Sequence, residues 1–248
     1  MKTAPRRADL YRGHPKPTSR QAWTMARPAG RRRTYHHGNL RPALIAAGLR
    51  LAAEGGPDAV VLREVARSVG VTANAAYRHF ATLTELRRAI ALKALTEMGA
   101  SMSEHLDRAA AAEPDEPRAA AVNHLREVGR GYVLFALTEP GLFRMAMEGA
   151  PEVLLPPAPG NDHGPDWDGR PKPDHFLLLA LDRLVRVGAL AAVDVPGATM
   201  ACWATVHGLS MLLPNLAETM PPPQRQAAIE VTLNVLINGL TQEAGDRR

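Results

Sequence analysis

One short segment of the chain, residues 73–80, carries side chains that could read and grip DNA. Asn74 has an amide that can bond N6 and N7 of adenine together in the major groove. Tyr77, Arg78 and His79 carry hydrogen-bond donors that suit phosphate oxygens. Contacts of the first kind specify a base sequence, whereas contacts of the second kind position a protein on the duplex. This combination of side chains predicts a DNA-reading element.

The surrounding pattern predicts that this segment is the second of two short helices. Apolar residues recur at helical spacing just before it, at Leu62, Val65, Ala66 and Val69. Gly70 is expected to end that helix, and Thr72 to cap a helix that runs to about Phe80. Ala76 and Phe80 then share its inward face. Two short helices joined by a turn with a glycine fit a helix-turn-helix, although two short helices of any bundle show a similar spacing.

The rest of the chain is also predicted to be helical. Further helices are expected at residues 40–55, 83–106, 119–137, 141–148, 175–190, 196–213 and 224–240. Aromatic residues make up only 4% of the chain, which favours helices packed through small and aliphatic side chains over a β-sheet. We therefore predict an all-α protein, with an N-terminal three-helix helix-turn-helix domain and a larger helical C-terminal domain.

The net charge of +5 conceals a strongly basic N-terminal end. Residues 1–41 hold eleven basic residues against one acidic residue, residues 42–93 hold seven against four, and residues 94–248 hold twelve against twenty. A basic end on an otherwise acidic chain is typical of a protein that brings only that end to a polyanion such as DNA. A merely solvated tail is the alternative.

These patterns divide the chain into three parts. Residues 1–33 mix prolines, glycines and arginines and are expected to form a disordered basic arm. Residues 34–94 are expected to form the DNA-binding domain, and residues 95–248 a second, helical domain. Translation could start at Met1 or at Met25, and either start would keep a basic arm.

Within residues 41–90 the chain resembles the DNA-binding domain of the TetR family. The resemblance rests on Leu62-Arg-Glu-Val-Ala-Arg-Ser-Val-Gly-Val-Thr, then Ala76-Tyr-Arg-His-Phe, then Leu86. It implies a sequence-specific transcriptional regulator that binds double-stranded DNA and, as a family expectation, represses transcription. It places five residues at DNA-contacting positions, namely Arg63, Thr72, Asn74, Tyr77 and His79. Three more resemble the basic arm that some members lay across the duplex, namely Arg31, Arg32 and Arg33.

The chain departs from this family pattern at one position. Many members carry a phosphate-contacting lysine at the start of the fourth helix, where this chain has Leu83. Either the affinity for DNA depends more on the arginine arm, or this contact to the operator is absent.

The scarce aromatic and sulfur side chains of the C-terminal half could line one cavity. They are Tyr132, Phe135, Phe143, Met145, Met147, Phe176, Met200, Trp203 and Met211. Ordinary core packing is the alternative. Trp203 and His207 are four residues apart on one helix and precede Gly208, so a ring N–H and an imidazole share one face. The candidate ligand-binding residues are Tyr132, Phe135, Phe143, Met147, Trp203 and His207.

A second resemblance covers residues 127–213. The chain there is similar to the C-terminal domain of TetR-type regulators named for Trp, His and Gly (WHG), through Trp203-x-x-x-His-Gly, Gly131-Tyr-Val-Leu-Phe-Ala and Glu139-Pro-Gly-Leu-Phe-Arg. The resemblance implies that residues 95–248 form a ligand-binding and dimerisation domain. It also implies a homodimer whose last two long helices form a four-helix bundle with their symmetry mates. The last helix has an apolar stripe of Ile229, Leu233, Leu236, Ile237 and Leu240. A two-fold dimer implies a palindromic operator, from which a small apolar or amphipathic effector would release it.

Other classes of function have weaker support. Residues 161–168 gather three aspartates and His163, which could suggest an enzyme or a metal site, but a solvated loop is the preferred interpretation because no second ligand cluster accompanies them. The sequence holds no phosphate-binding glycine loop, nucleophile elbow or zinc-protease motif. We therefore expect no enzyme activity, metal or cofactor. A non-specific DNA-binding protein remains an alternative.

The cysteine content and the apolar stretches bear on the compartment. Cys202 is the single cysteine, and inert packing is preferred over a redox sensor. Nothing at the N-terminus resembles a secretory signal, and no apolar stretch reaches the roughly 18 residues of a membrane span. We expect a cytoplasmic protein with no membrane partner.

Overall fold

Nine α-helices occur in the part of the chain that the computed structural model describes, residues 40–148, 169–216 and 219–242. Their bounds are Leu40–Gly55 (α1), Leu62–Ser68 (α2), Ala73–Tyr77 (α3), Leu83–Ala109 (α4), Pro117–Thr138 (α5), Pro140–Glu148 (α6), Pro173–Arg186 (α7), Val195–Asn215 (α8) and Pro222–Thr241 (α9). These described ranges contain no β-strand. The all-α prediction is confirmed.

Two clusters of buried side chains organise these helices. The first cluster lies among α1, α2, α3 and the first half of α4, around residues such as Leu44 and Phe80. The second lies among the rest of α4 and helices α5, α7, α8 and α9, around residues such as Met102 and Leu181. Because α4 runs through both clusters without interruption, the domain boundary predicted after residue 94 falls inside this helix.

Helix α6 connects the two clusters. Met145 is fully buried in the first cluster, and Phe143 is buried in the second. The first turn of α6 also lies directly against the C-terminal end of α1. A Cβ atom on Gly141 would lie 2.3 Å from the carbonyl oxygen of Ala52 and 2.5 Å from that of Ala53, so only glycine fits at this contact.

Helix α7 is shorter than the sequence predicted. It was expected to reach residue 190, but it ends at Arg186. Gly188 adopts φ 69°, in the left-handed region that favours glycine, and the N–H of Ala189 donates to the carbonyl of Leu184 at 2.9 Å. This arrangement is a common helix stop, and it turns the chain before α8.

The other helices begin and end within a few residues of their predicted bounds. The density of proline, glycine and aspartate at residues 151–173 predicts a long loop. This segment lies mostly outside the described ranges, and its described part is not helical before Pro173. None of the described helices combines the length and the apolar composition that a membrane span requires.

Candidate nucleic-acid interface and apolar cavity

The helix-turn-helix consists of α2, a short turn and α3. Gly70 has φ 75° and reverses the chain after α2. The N–H of Val71 then donates to the carbonyl of Ala66 at 3.0 Å. The hydroxyl of Thr72 accepts a hydrogen bond from the N–H of Ala75 at 3.3 Å, so Thr72 is the N-cap of α3, as predicted.

Helix α3 turns its apolar side inward and its polar side outward. Ala76 and Phe80 are fully buried in the first cluster, as their spacing predicted. His79 is only half-exposed, whereas Arg63 on α2 is well exposed. Exposed side chains of the N-cap, α3 and the residue that follows it are Thr72, Asn74, Tyr77 and Arg78. Base-reading and phosphate-binding groups are therefore available together at this end of the molecule.

Two other predicted features concern DNA contacts. Arg31, Arg32 and Arg33 lie outside the described ranges, and their role stays a prediction. Leu83 is the first residue of α4, and its side chain packs against the first cluster. The residue at this position therefore contributes to the core.

Arg41 holds the end of the recognition segment in place, a role that the sequence did not reveal. Nη1 of Arg41 donates to the carbonyl oxygen of His79 at 2.6 Å, and its guanidinium carbon lies 4.1 Å from the centre of the Phe80 ring. The same guanidinium lies 3.3 Å from a carboxylate oxygen of Glu85. These contacts tie α1, the residues after α3, and α4 together. Because Arg41 and His79 are 38 residues apart, no local pattern indicates the contact.

An apolar cavity lies among the helices of the second cluster. It is partly open to solvent, and its volume is about 120 Å³. Helices α4, α5, α7, α8 and α9 all contribute to its wall, with side chains that include Met102, Leu125, Val128, Leu177, Val206 and Leu233. A concave site with mostly apolar walls and few polar groups is typical of small-molecule sites.

The predicted ligand-binding residues fall into two groups. Tyr132 and Trp203 lie on the cavity wall. Four others lie away from it, namely Phe135, Phe143, Met147 and His207. The broader expectation of one cavity lined by all the aromatic and sulfur side chains is wrong, because Met145 is buried in the first cluster while Met200 and Met211 are exposed on α8.

Three of these side chains pack behind the wall around Tyr132 and Trp203. The Tyr132 and Phe143 rings meet edge to face with centres 5.8 Å apart, and the Trp203 and His207 rings stack with centres 5.2 Å apart. The hydroxyl oxygen of Tyr132 lies 3.4 Å from Nδ1 of His207 and 3.8 Å from the sulfur of Met147. These contacts join five side chains in one cluster, namely Tyr132, Phe143, Met147, Trp203 and His207.

Burial keeps the side chains at this end of the cavity uncharged. Burial raises the pKa of Tyr132, against the smaller opposing effect of hydrogen bonding with Trp203, so the phenol keeps its proton. Burial lowers the pKa of His207, which favours the neutral imidazole. Burial also raises the pKa of the Cys202 thiol to about 12. The thiolate needed for redox chemistry is therefore disfavoured at neutral pH, which supports the packing interpretation of Cys202.

A charged network ties α9 and α4 to α5 beside the cavity. Arg130 on α5 donates to the two carboxylate oxygens of Glu230 on α9, at 2.9 and 2.6 Å. Hydrogen bonding to Glu230 raises the pKa of Arg130. Arg130 also bonds the buried Glu127, which lies 2.8 Å from Nε2 of His105 on α4. Sequence reasoning missed this network because Arg130 and Glu230 are 100 residues apart.

The described residues contain no group of three or more His, Cys, Asp or Glu side chains placed to hold a metal ion. The acidic segment at residues 161–168 lies outside the described ranges. Its interpretation as a solvated loop stays a prediction.

Two family models match the chain. One describes bacterial regulatory proteins of the tetR family and matches residues 44–90, and the other describes a Tetracyclin repressor-like C-terminal domain and matches residues 125–236. The chain belongs to the TetR family. It is therefore a DNA-binding transcriptional regulator of the helix-turn-helix type, as the first resemblance implied. The WHG subtype stays a prediction.

Solved structures share the fold of this TetR-family chain. A protein with unknown function from Rhodococcus sp. RHA1 is 22% identical, with a TM-score of 0.55 over 85% of this chain and 100% of that chain. A TetR variant from Acinetobacter baumannii AYE, in complex with minocycline, is 21% identical, with a TM-score of 0.51 over 79% of this chain and 93% of that chain. No curated protein matches the chain.

The apolar stripe of α9 in this TetR-family regulator requires a correction. The stripe was expected to meet a symmetry mate, but Ile229, Leu233 and Ile237 are buried in the second cluster of the same chain, because α5 and α8 pack against α9. The opposite side of α9 carries Val231 and Val235, which are 62% and 69% exposed. This outer face of α9 is the one available to a second copy.

Helix α8 also has an apolar outer face. Met200 and Met211 are exposed on it, and Ala204 and Gly208 lie between them at helical spacing. A Cβ atom on Gly208 would meet nothing within 4 Å. Small residues between two methionines leave room for close approach of another helix.

Proposed function

We propose that this TetR-family regulator is a repressor that binds a palindromic operator as a homodimer and leaves it when a small molecule enters the cavity. The observation that carries the proposal is the exposed polar side of α3, which the Thr72 cap and the Arg41 contacts fix on the first cluster. A helix held in this way fits the major groove and brings its N-terminal residues to base edges. Asn74 is the residue we assign to base recognition.

The outer faces of α8 and α9 support the dimer. Exposed apolar residues grouped on the surface of a chain are typical of interaction sites. A two-fold axis through these helices would place two copies of α3 about one DNA turn or a multiple of it apart, and each copy would read one half of a palindrome.

Helix α6 supports the link between ligand and DNA. Phe143 contacts Tyr132 on the cavity wall, Met145 is buried in the first cluster, and Gly141 touches the end of α1. A ligand that displaces Tyr132 would therefore move a helix that packs on the DNA-binding part. It would release DNA only to the extent that it binds the two states with different affinities. The minocycline complex of the Acinetobacter TetR variant agrees with a small-molecule effector for this fold.

A selection of bound fragments from a random DNA library tests the proposal. We expect the retained fragments to share two inverted copies of one half-site. Fragments with no shared motif would instead favour a non-specific DNA-binding protein.

Asn74→Ala should change the base preference at one position of each half-site. One good bidentate contact to a base contributes about 1–3 kcal/mol of discrimination, and alanine retains no hydrogen-bonding group. Binding to operators with each single base changed measures this effect. Arg78→Ala is the matched control, since loss of a phosphate contact should weaken every operator alike. An equal loss at every base for Asn74→Ala would contradict its assignment.

Replacing Arg31, Arg32 and Arg33 by alanine should weaken binding to all DNA sequences alike. Each phosphate that a basic side chain neutralises adds about 0.9 to the slope of log affinity against log salt. We expect the slope to fall by roughly 3 if all three arginines bind phosphates. Titrations of operator and unrelated DNA at several salt concentrations measure it. If the slope equals that of the unaltered protein, these three arginines do not contact DNA phosphates.

A further inference from the structure

We propose that the cavity takes an uncharged, mostly apolar molecule with a single hydrogen-bond acceptor oxygen, such as a ketone, an ester or a lactone, and that Trp203 donates to this oxygen. The inference rests on the proposed function, because it names the chemical class of the effector. It is independent of the operator and of the dimer.

The charges around the cavity exclude an anionic ligand. Asp174, in the first turn of α7, is the one ionisable acid among the lining residues, and these residues include no lysine, arginine or histidine. A ligand carboxylate would therefore be desolvated against apolar side chains, with no cation on the wall itself to pair with.

The surroundings of Asp174 also favour a neutral ligand over a cation. The carboxylate lies at the positive end of α7, where an acidic residue is stabilised by the helix dipole. Asp174 also interacts electrostatically with Lys172, which precedes α7. The negative charge of Asp174 is therefore already opposed by the α7 dipole and by Lys172, so this carboxylate does not require a cationic ligand.

Trp203 supplies the reason for an acceptor oxygen. Its Nε1 is buried and makes no hydrogen bond of normal length among the described residues. The Tyr132 hydroxyl is close enough to interact with this N–H only weakly, as its effect on the pKa of Tyr132 indicates. A buried N–H without a well-placed acceptor is unfavourable, and a ligand oxygen beside it would reduce that penalty. Stacking on His207 fixes the plane of the indole ring. The nearby Tyr132 hydroxyl makes only long contacts, so a second donor is close to the same end of the cavity.

The remaining wall suits an apolar body. Leu125 and Val128 from α5, Val206 from α8, and Leu233 and Ile237 from α9 surround the space. These five side chains have no hydrogen-bonding group. A ligand with several polar groups would therefore leave most of its own polar groups unpaired. The wall also includes Thr199, whose hydroxyl already donates to the carbonyl of Val195 at 2.8 Å. One acceptor at the Trp203 end and an otherwise mostly apolar body match this distribution of polarity in the wall.

Three small probes of nearly the same shape test the inference. They are 4-phenylbutan-2-one, butylbenzene, which has the same carbon skeleton without the oxygen, and 3-phenylpropanoate, in which a carboxylate replaces the acetyl group. Dissociation constants are measured for the full chain and for Trp203→Phe, which keeps an aromatic ring and removes the N–H. Comparing each probe across the two proteins cancels its intrinsic tendency to leave water.

We expect Trp203→Phe to weaken the ketone about fivefold, the effect of one hydrogen bond, and to leave butylbenzene within about twofold. The anion should bind at least tenfold more weakly than the ketone. In nitrogen-15 spectra of the unaltered protein the indole N–H signal of Trp203, assigned by its absence from Trp203→Phe, should move with the ketone in the direction of hydrogen bonding. With butylbenzene the indole N–H signal of Trp203 should not move in this direction. If Trp203→Phe fails to fold, the signal of Trp203 is assigned instead as the one that remains when Trp23 and Trp167 are both replaced by phenylalanine.

The outcomes separate two failures. If the probes bind but Trp203→Phe changes the ketone and the hydrocarbon alike, or if the anion binds as tightly as the ketone, the inference is wrong while a ligand-responsive regulator stands. If none of the three binds, the cavity is not a small-molecule site, and the ligand part of the proposed function falls with the inference. Sequence-specific DNA binding is tested separately and is unaffected.

Discussion

Gly141→Ala should lower the melting temperature of the protein by roughly 4–12 °C. The new Cβ atom would lie 2.3 and 2.5 Å from two backbone oxygens of α1, and a backbone oxygen cannot rotate away as a side chain can. Overpacking of this kind costs about 2–3 kcal/mol, and a chain of this length loses about 2–4 °C per kcal/mol. Thermal unfolding followed by circular dichroism measures the change.

Gly131→Ala is the matched control for this prediction. A Cβ atom there would lie 3.3 Å from a ring carbon of His105, a side chain that can shift by a few tenths of an ångström. Alanine also raises helix propensity by up to about 1 kcal/mol inside α5. We expect the melting temperature to stay level or to rise slightly. Equal melting of Gly141→Ala and the unaltered protein would show that α6 is not held against α1, and the proposed path from cavity to DNA would lose its basis.

Val235→Glu should weaken self-association by at least about 100-fold, which corresponds to about 2.8 kcal/mol. Val235 is 69% exposed in the single chain and lies on the outer face of α9. In a two-fold dimer the substitution occurs twice, and each carboxylate would be buried without a partner. Sedimentation equilibrium measures the dissociation constant. Operator affinity should fall with it, because a monomer holds only one half-site.

Leu179→Glu is the control with the same chemistry at another surface. Leu179 is 46% exposed on α7, outside the faces assigned to the dimer. Its replacement should leave self-association unchanged. If Val235→Glu and Leu179→Glu self-associate with the same dissociation constant, the outer face of α9 is not part of the dimer interface.

Local patterns were sufficient to predict the helices and the recognition face. The burial of Ala76 and Phe80 follows from a spacing of four residues, and the Thr72 cap from a side chain that competes for the first free N–H groups of α3. Such features depend on neighbours within one or two helical turns. The helix-turn-helix could therefore be located from the sequence.

The features that escaped prediction depend on contacts between distant parts of the chain. Arg41 reaches a carbonyl 38 residues away, and Arg130 reaches Glu230 across 100 residues. Nothing near any of these residues in the sequence indicates its partner. Polar contacts that join helices become visible only when the helices are packed.

The apolar stripe of α9 shows that a sequence can predict burial without identifying the helices that cover the buried face. Its apolar spacing predicted burial, and Ile229, Leu233 and Ile237 are buried. The spacing could not say whether the covering helices belong to the same chain or to a second copy. The outer face, with Val231 and Val235, has no comparable apolar period, and only the packing reveals it.

Footprinting on the DNA that flanks the protein's own gene tests the central claim, sequence-specific binding by a dimer, most directly. We expect one protected region with two-fold symmetric sequence and half-sites about 10 base pairs or a multiple of that apart. Competitor DNA should not abolish the protection, and Leu179→Glu should retain it at concentrations where Val235→Glu loses it. Protection that spreads over all sequences and vanishes with modest salt, for both variants alike, would contradict the account.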